Sequence, residues 1–245
     1  MLKQVSVDGR SDEVAVELPL EIRLNGSPVA VTMRTPGHDF ELAAGFLYGE
    51  GIVSGAPELT LPEDLAANIV DALFEGALPP ATRRFYTTSS CGICGKGALE
   101  EVEAIAPVVS GGPTVPRALL ASLPDRLTQP GFERTGGLHA TGLFDAAGSA
   151  AVVREDVGRH NAMDKVVGWG LLSGALPLSE SLLCVSGRLA FELVQKAARA
   201  GAPILVGVGA PTSLAVELAE DRGVTLAGFA RGGRVNIYTH PERVS

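Results

Sequence analysis

Apolar residues recur at every second position through Val29, Val31 and Met33. Together with residues 21–24 they flank Asn25-Gly26, a dipeptide suited to a two-residue hairpin turn. Strands are therefore expected from about residue 14 to residue 33. The period then lengthens. Thr35-Pro36 supplies a helix opening, and Leu42, Ala43, Phe46 and Leu47 an apolar face that Gly49 and Gly51 close. Residues 67–74 and 83–88 read as strands. After them, 89–97 is studded with glycine and has no apolar period, the pattern of an exposed, mobile loop. Helical spacing returns at Ala98, Leu99, Val102 and Ile105, stops at Pro107, and is expected again after Pro116.

From Leu138 onward, strand-length and helix-length segments alternate. A hairpin of 139–145 and 150–155 turns at Ala147-Gly148, followed by helix 161–172 with Met163, Val166 and Val167 facing inward. Strand 181–186, helix 189–200, strand 204–208, helix 212–221 and strands 224–229 and 234–239 complete the chain. This alternation predicts right-handed crossovers and a largely parallel sheet covered on both faces. The expected class is α/β, or α+β over the whole chain. The organisation expected is a β-rich module over 1–82, a mobile loop over 83–98 and an α/β domain over 99–245.

Composition narrows the function. The chain has 245 residues, 46% of them hydrophobic and 20% charged, which suits a packed protein and not a disordered one. Its net charge of −8 argues against nucleic acid or an anionic membrane as partner. No apolar run is long enough to span a bilayer, and residues 1–8 do not resemble a signal peptide. Three cysteines are too few and too odd for a disulfide framework, so a reducing cytoplasm is the expected compartment. Sixteen of the 20 basic residues are Arg, a bias that a GC-rich genome explains, as the abundance of Ala and Gly also suggests; the planar fork bears on phosphate only where Arg sits beside a turn that could face a ligand.

The chemistry is concentrated at Cys91-Gly92-Ile93-Cys94. Two thiols at this spacing can supply half a zinc site, form a reversible disulfide, or carry sulfur on one thiolate. Structural zinc needs four ligands, yet Cys184 sits alone in the apolar run Leu182-Leu183-Cys184-Val185, and His38, His139, His160 and His240 are scattered. A thioredoxin-like pair would open a helix behind a strand, whereas this pair is flanked by glycines. Lys96 and the helix expected from about Ala98 would both favour the thiolate. An exposed, swinging thiolate is what sulfur relay requires, because it must visit a donor and then an acceptor.

Several ordered blocks carry a family resemblance. They are 87–96, Thr-Thr-Ser-Ser-Cys-Gly-Ile-Cys-Gly-Lys; 32–39, Thr-Met-Arg-Thr-Pro-Gly-His-Asp; and 135–140, Thr-Gly-Gly-Leu-His-Ala. Three more are 155–165, Glu-Asp-Val-Gly-Arg-His-Asn-Ala-Met-Asp-Lys; Ser186-Gly187-Arg188; and 228–238, ending on Tyr238. Together they resemble the FdhD family, sulfurtransferases required for active formate dehydrogenase, along nearly the whole chain. The resemblance implies that a cysteine desulfurase loads sulfur onto Cys91 as a persulfide, with Cys94 assisting or resolving. It implies transfer of that sulfur to a molybdenum bis(molybdopterin guanine dinucleotide) cofactor, bound as acceptor substrate and destined for the formate dehydrogenase catalytic subunit. The family's cofactor segment maps onto Phe229, Ala230, Arg231, Gly232, Gly233 and Arg234. The family also implies a cytidine-deaminase-like three-layer domain and a homodimer, with no structural metal expected. The rival role is a non-catalytic chaperone that binds and delivers the cofactor.

Other residues support a nucleotide-tailed ligand. Ser186-Gly187-Arg188 and 207–212 join strands to helices, where main-chain N–H groups can meet phosphate. Arg231 and Arg234 on a glycine turn leave their guanidinium forks available. Segment 156–161 could hold a ligand or a proton-transfer group, or simply start a helix with Asn161 as cap. His38, His139 and His160 read equally well as structural histidines, and Trp169 as core or interface packing. Deamination is excluded, because the Cys-x-x-Cys pair precedes most of the α/β domain and His160-Asn161-Ala162 lacks the required glutamate.

Overall fold

A computed structural model describes residues 2–62, 68–76, 85–86 and 106–245. Cys91, Cys94, the expected loop around them and the helix expected from Ala98 lie outside the described residues.

The chain opens with a two-stranded antiparallel hairpin, β1 (Leu2–Val7) and β2 (Arg10–Ala15). β3 (Leu18–Leu24) and β4 (Ser27–Arg34) then pair across Asn25-Gly26, whose φ values of 50° and 78° are those the expected turn needs. The buried side of β4 carries Ala30 and Arg34. Val29 and Val31 are half-buried and Met33 exposed, so the apolar alternation marks the less covered face. Helix α1 (Asp39–Gly49) follows, then β5 (Glu58–Thr60), β6 (Ile69–Leu73) and β7 (Phe85–Tyr86). The five strands order as β5-β6-β3-β4-β7, with β6 parallel to β3 and β7 parallel to β4. Leu20, Ile22 and Leu24 of this sheet pack on Leu42, Ala43, Phe46 and Leu47 of α1.

Short helices α2 (Arg117–Ser122) and α3 (Pro130–Thr135) precede the second layer system. Its elements are β8 (His139–Phe144), β9 (Ala150–Asp156), α4 (Arg159–Leu172), β10 (Leu182–Val185), α5 (Phe191–Arg199), β11 (Ile204–Gly207), α6 (Ser213–Arg222), β12 (Thr225–Arg231) and β13 (Arg234–Ile237). The sheet order is β13-β12-β11-β10-β8-β9. Only β10-β11-β12 run parallel; β8, β9 and β13 join antiparallel, so the sheet is mixed where a largely parallel one was expected. The cause is the two hairpins at its margins, which need no crossover helix.

One face is covered by α4, α5 and α6 through Met163, Val166, Val167, Leu193, Val194, Ala197, Ala215 and Leu218. Leu120, Leu123 and Leu127 cover the other. The expected coverage of both faces is thus present. Each fully buried Leu or Val contributes roughly 1.5–3 kcal/mol. Cys184 lies wholly inside, as its apolar neighbours predicted, and burial pushes its thiol pKa up. Such a thiol is inert.

The two layer systems are joined by helix α1 on helix α4. A Cβ on Gly45 would sit 1.8 Å from the Asp164 carbonyl oxygen, and one on Gly168 would sit 1.8 Å from that of Glu41. Glycine is obligatory at both positions, and the two helix backbones touch.

Candidate functional site

Strands β10, β11 and β12 end on one rim of the mixed sheet, and main-chain hydrogen bonds lace their turns together. Gly209 N–H donates to Gly187 O at 3.0 Å, Leu189 N–H to Ala210 O at 3.0 Å, and Phe229 N–H to Gly209 O at 3.1 Å. A Cβ on Gly209 would meet the Arg188 Cα at 2.9 Å, so only glycine lets these turns approach so closely. Ser186 extends the rim to β8: its N–H donates to Ala140 O, and its hydroxyl accepts from Ala140 N–H, each at 2.9 Å.

The two helix starts on this rim differ. Thr212 caps α6, its hydroxyl accepting from Ala215 N–H at 3.3 Å. At α5 the cap position is Ala190, which has no side-chain acceptor to offer the first turn. Of the two turns singled out in the sequence, the one after β10 therefore leads to the helix start that lacks a side-chain cap.

β12 and β13 outrun the sheet. β11 pairs with β12 only as far as Val206 with Ala227, and beyond that point the hairpin continues to Arg231 and Arg234. Gly232 and Gly233 turn it, at φ 56° and 73°. Phe229, Arg231, Gly232, Gly233 and Arg234 are exposed on this projecting hairpin, while Ala230 is fully buried in the core beneath it. Phe229 adopts φ 54° at a register shift in the hairpin, a left-handed conformation that costs a bulky residue about 1–3 kcal/mol. Nothing in the sequence pattern marks that strain; only the glycine before it hints at a bulge.

Segment 156–161 resolves into a buried network. Asp156 and Lys165, both fully buried, pair at 2.7 Å. Asp156 also accepts from Thr35 N–H at 3.1 Å, Gly158 N–H at 2.9 Å and Asn161 Nδ2 at 3.0 Å. Lys165 Nζ donates to Thr35 O at 3.0 Å and Glu155 O at 3.2 Å. Asn161 Nδ2 donates to Met33 O at 2.8 Å. The cap of α4 is Gly158, not Asn161, because Asn161 is turned back onto β4. Two of the blocks noted in the sequence, 32–39 and 155–165, thus meet each other. Arg34 pairs with Asp39 at 2.8 Å, and Arg154 reaches Glu41 at 2.5 Å and 2.7 Å across the same junction. Farther along α1, Lys196 is held charged between Asp164 at 2.8 Å and Glu50 at 2.9 Å. Burial alone would lower its pKa, but these two carboxylates raise it.

The histidines differ: His240 is hydrogen-bonded to Glu242 at 3.0 Å and to the Glu220 main-chain oxygen at 2.9 Å, and His38 Nδ1 lies 3.5 Å from Glu41. His139 opens β8 half-buried, its pKa lowered by burial and by Arg159. His160 falls to about 3 through burial, then Arg159, Lys196 and His139. Its buried Nε2 has no hydrogen-bond partner among the described residues and lies 3.8 Å from Glu192. His38 takes a left-handed conformation, φ 58°, before α1. Trp169 packs half-buried against the α4 side of the core. Among the described residues no group of His, Cys, Asp and Glu is disposed to hold a metal ion, and no helix is long and apolar enough to cross a membrane.

Comparison with known proteins places this geometry in a family. The FdhD/NarQ family profile matches residues 15–245. The "Sulfur carrier protein FdhD" of Streptomyces avermitilis is 50% identical over 262 residues, covering 100% of this chain and 93% of the relative. The protein of the same name from Sulfolobus acidocaldarius is 44% identical over 95% of this chain and 91% of its own length. Among solved structures, a protein from Desulfotalea psychrophila assigned as a formate dehydrogenase accessory protein superposes with TM-score 0.76 at 29% identity, covering 100% of this chain and 98% of its own. Matched from residue 15 to its last residue and half identical to full-length relatives, the chain belongs to the FdhD/NarQ family.

Proposed function

We propose that this protein is a sulfur carrier serving formate dehydrogenase, with Cys91 as the atom-carrying residue. The observation that carries the proposal is half identity, over the whole chain, to proteins named as FdhD sulfur carriers. The Cys91 thiolate attacks the terminal sulfur of a desulfurase persulfide; the donor's S–S bond breaks as the new one forms, and the donor leaves as thiolate. No electron or proton is gained in this exchange. In the second transfer the new S–S bond breaks, and Cys91 leaves as thiolate. The terminal sulfur passes to the molybdenum bis(molybdopterin guanine dinucleotide) substrate, whose reduced metal centre supplies the two electrons that make it sulfide. Cys94 assists or resolves.

The rim suits a nucleotide-tailed acceptor. Glycine-tight turns bring main chain close to a ligand, the α5 start carries no side-chain cap, and Arg231 and Arg234 project on the hairpin above. Phe229 offers an exposed ring for a base to stack on. We read the helix–sheet–helix arrangement as the deaminase-like domain of the family, and the functional unit as a homodimer in the cytoplasm. The formate dehydrogenase catalytic subunit is the destination of the sulfurated cofactor. Cells lacking the endogenous carrier provide the test: the parent chain restores formate dehydrogenase activity and Cys91→Ala does not. Full restoration by Cys91→Ala contradicts the carrier role and leaves a delivery chaperone.

A further inference from the structure

We draw no further inference here: the strongest candidate, the exposed face of the two-stranded β1–β2 hairpin that carries Val7 and Val14, is an unpartnered sheet face, and nothing in the structure shows what covers it.

Discussion

Gly45 and Gly168 bring helices α1 and α4 into backbone contact, each standing where a Cβ would lie 1.8 Å from the other helix's main-chain oxygen. This contact fastens the five-stranded sheet to the six-stranded one and holds the 32–39 block against the 155–165 block. Gly45→Ala or Gly168→Ala cannot be absorbed by a side-chain rotation, because the obstacle is backbone. Each is expected to destabilise by more than the ~1–3 kcal/mol typical of overpacking, read as a lower urea midpoint. Ala is the better helix former by about 1 kcal/mol, so an unchanged or raised midpoint would refute the contact.

The Asp156–Lys165 pair should behave as a buried pair broken from one side. Lys165→Met leaves an uncompensated carboxylate and is expected to cost about 3–5 kcal/mol. Asp156→Asn strands the ammonium and also weakens the acceptors for Thr35, Gly158 and Asn161, so it should cost at least as much. Chemical denaturation of both variants measures this, and a loss below about 1 kcal/mol in each would mean the pair is not buried.

His139 and His160 set a pH dependence whose sign follows from their lowered pKa values. The unfolded chain binds more protons at these rings than the folded one, so stability falls as pH drops from about 6.5 toward the folded value of about 3 for His160. The slope is at most about 1.4 kcal/mol per pH unit per ring. His160→Gln should flatten the melting temperature between pH 7 and pH 5, and an unchanged slope would show that the ring protonates freely.

Phe229 combines strain with exposure. Phe229→Gly releases the left-handed strain but loosens the unfolded chain, so net stability should change by less than about 1 kcal/mol. Guanosine diphosphate affinity should nonetheless fall roughly tenfold through loss of a stacking surface. Equal affinity in the variant would remove Phe229 from the site.

Much of the fold was legible because its signals are local. Asn25-Gly26 fixed a turn by backbone conformation alone, and the apolar run around Cys184 could only be a buried strand. Strand direction was less legible. A helix between two strands announces a parallel pair, and the turn at Ala147-Gly148 announces β8 on β9, but nothing marks β8 as the antiparallel neighbour of β10 or β13 as that of β12. The network of Thr35, Asp156 and Lys165 was hidden for a different reason: a buried charge looks like a surface charge in sequence, and Thr35, which touches both members of the pair, lies more than a hundred residues from them. Asn161 illustrates the trap. Its position favours a cap, and tertiary contact with Met33 overrode that preference. The hairpin of Arg231 and Arg234 was readable from its glycines, whereas the unpartnered buried nitrogens of Arg159 and His160 have no mark in the sequence.

The most direct test of the central claim is mass spectrometry of the intact chain after incubation with a cysteine desulfurase and free cysteine. The account predicts an adduct of one sulfur atom, removed by a thiol reductant, mapped to Cys91 after digestion and absent from Cys91→Ala. An unmodified chain under conditions where the desulfurase turns over, or an adduct that persists in Cys91→Ala, would contradict it.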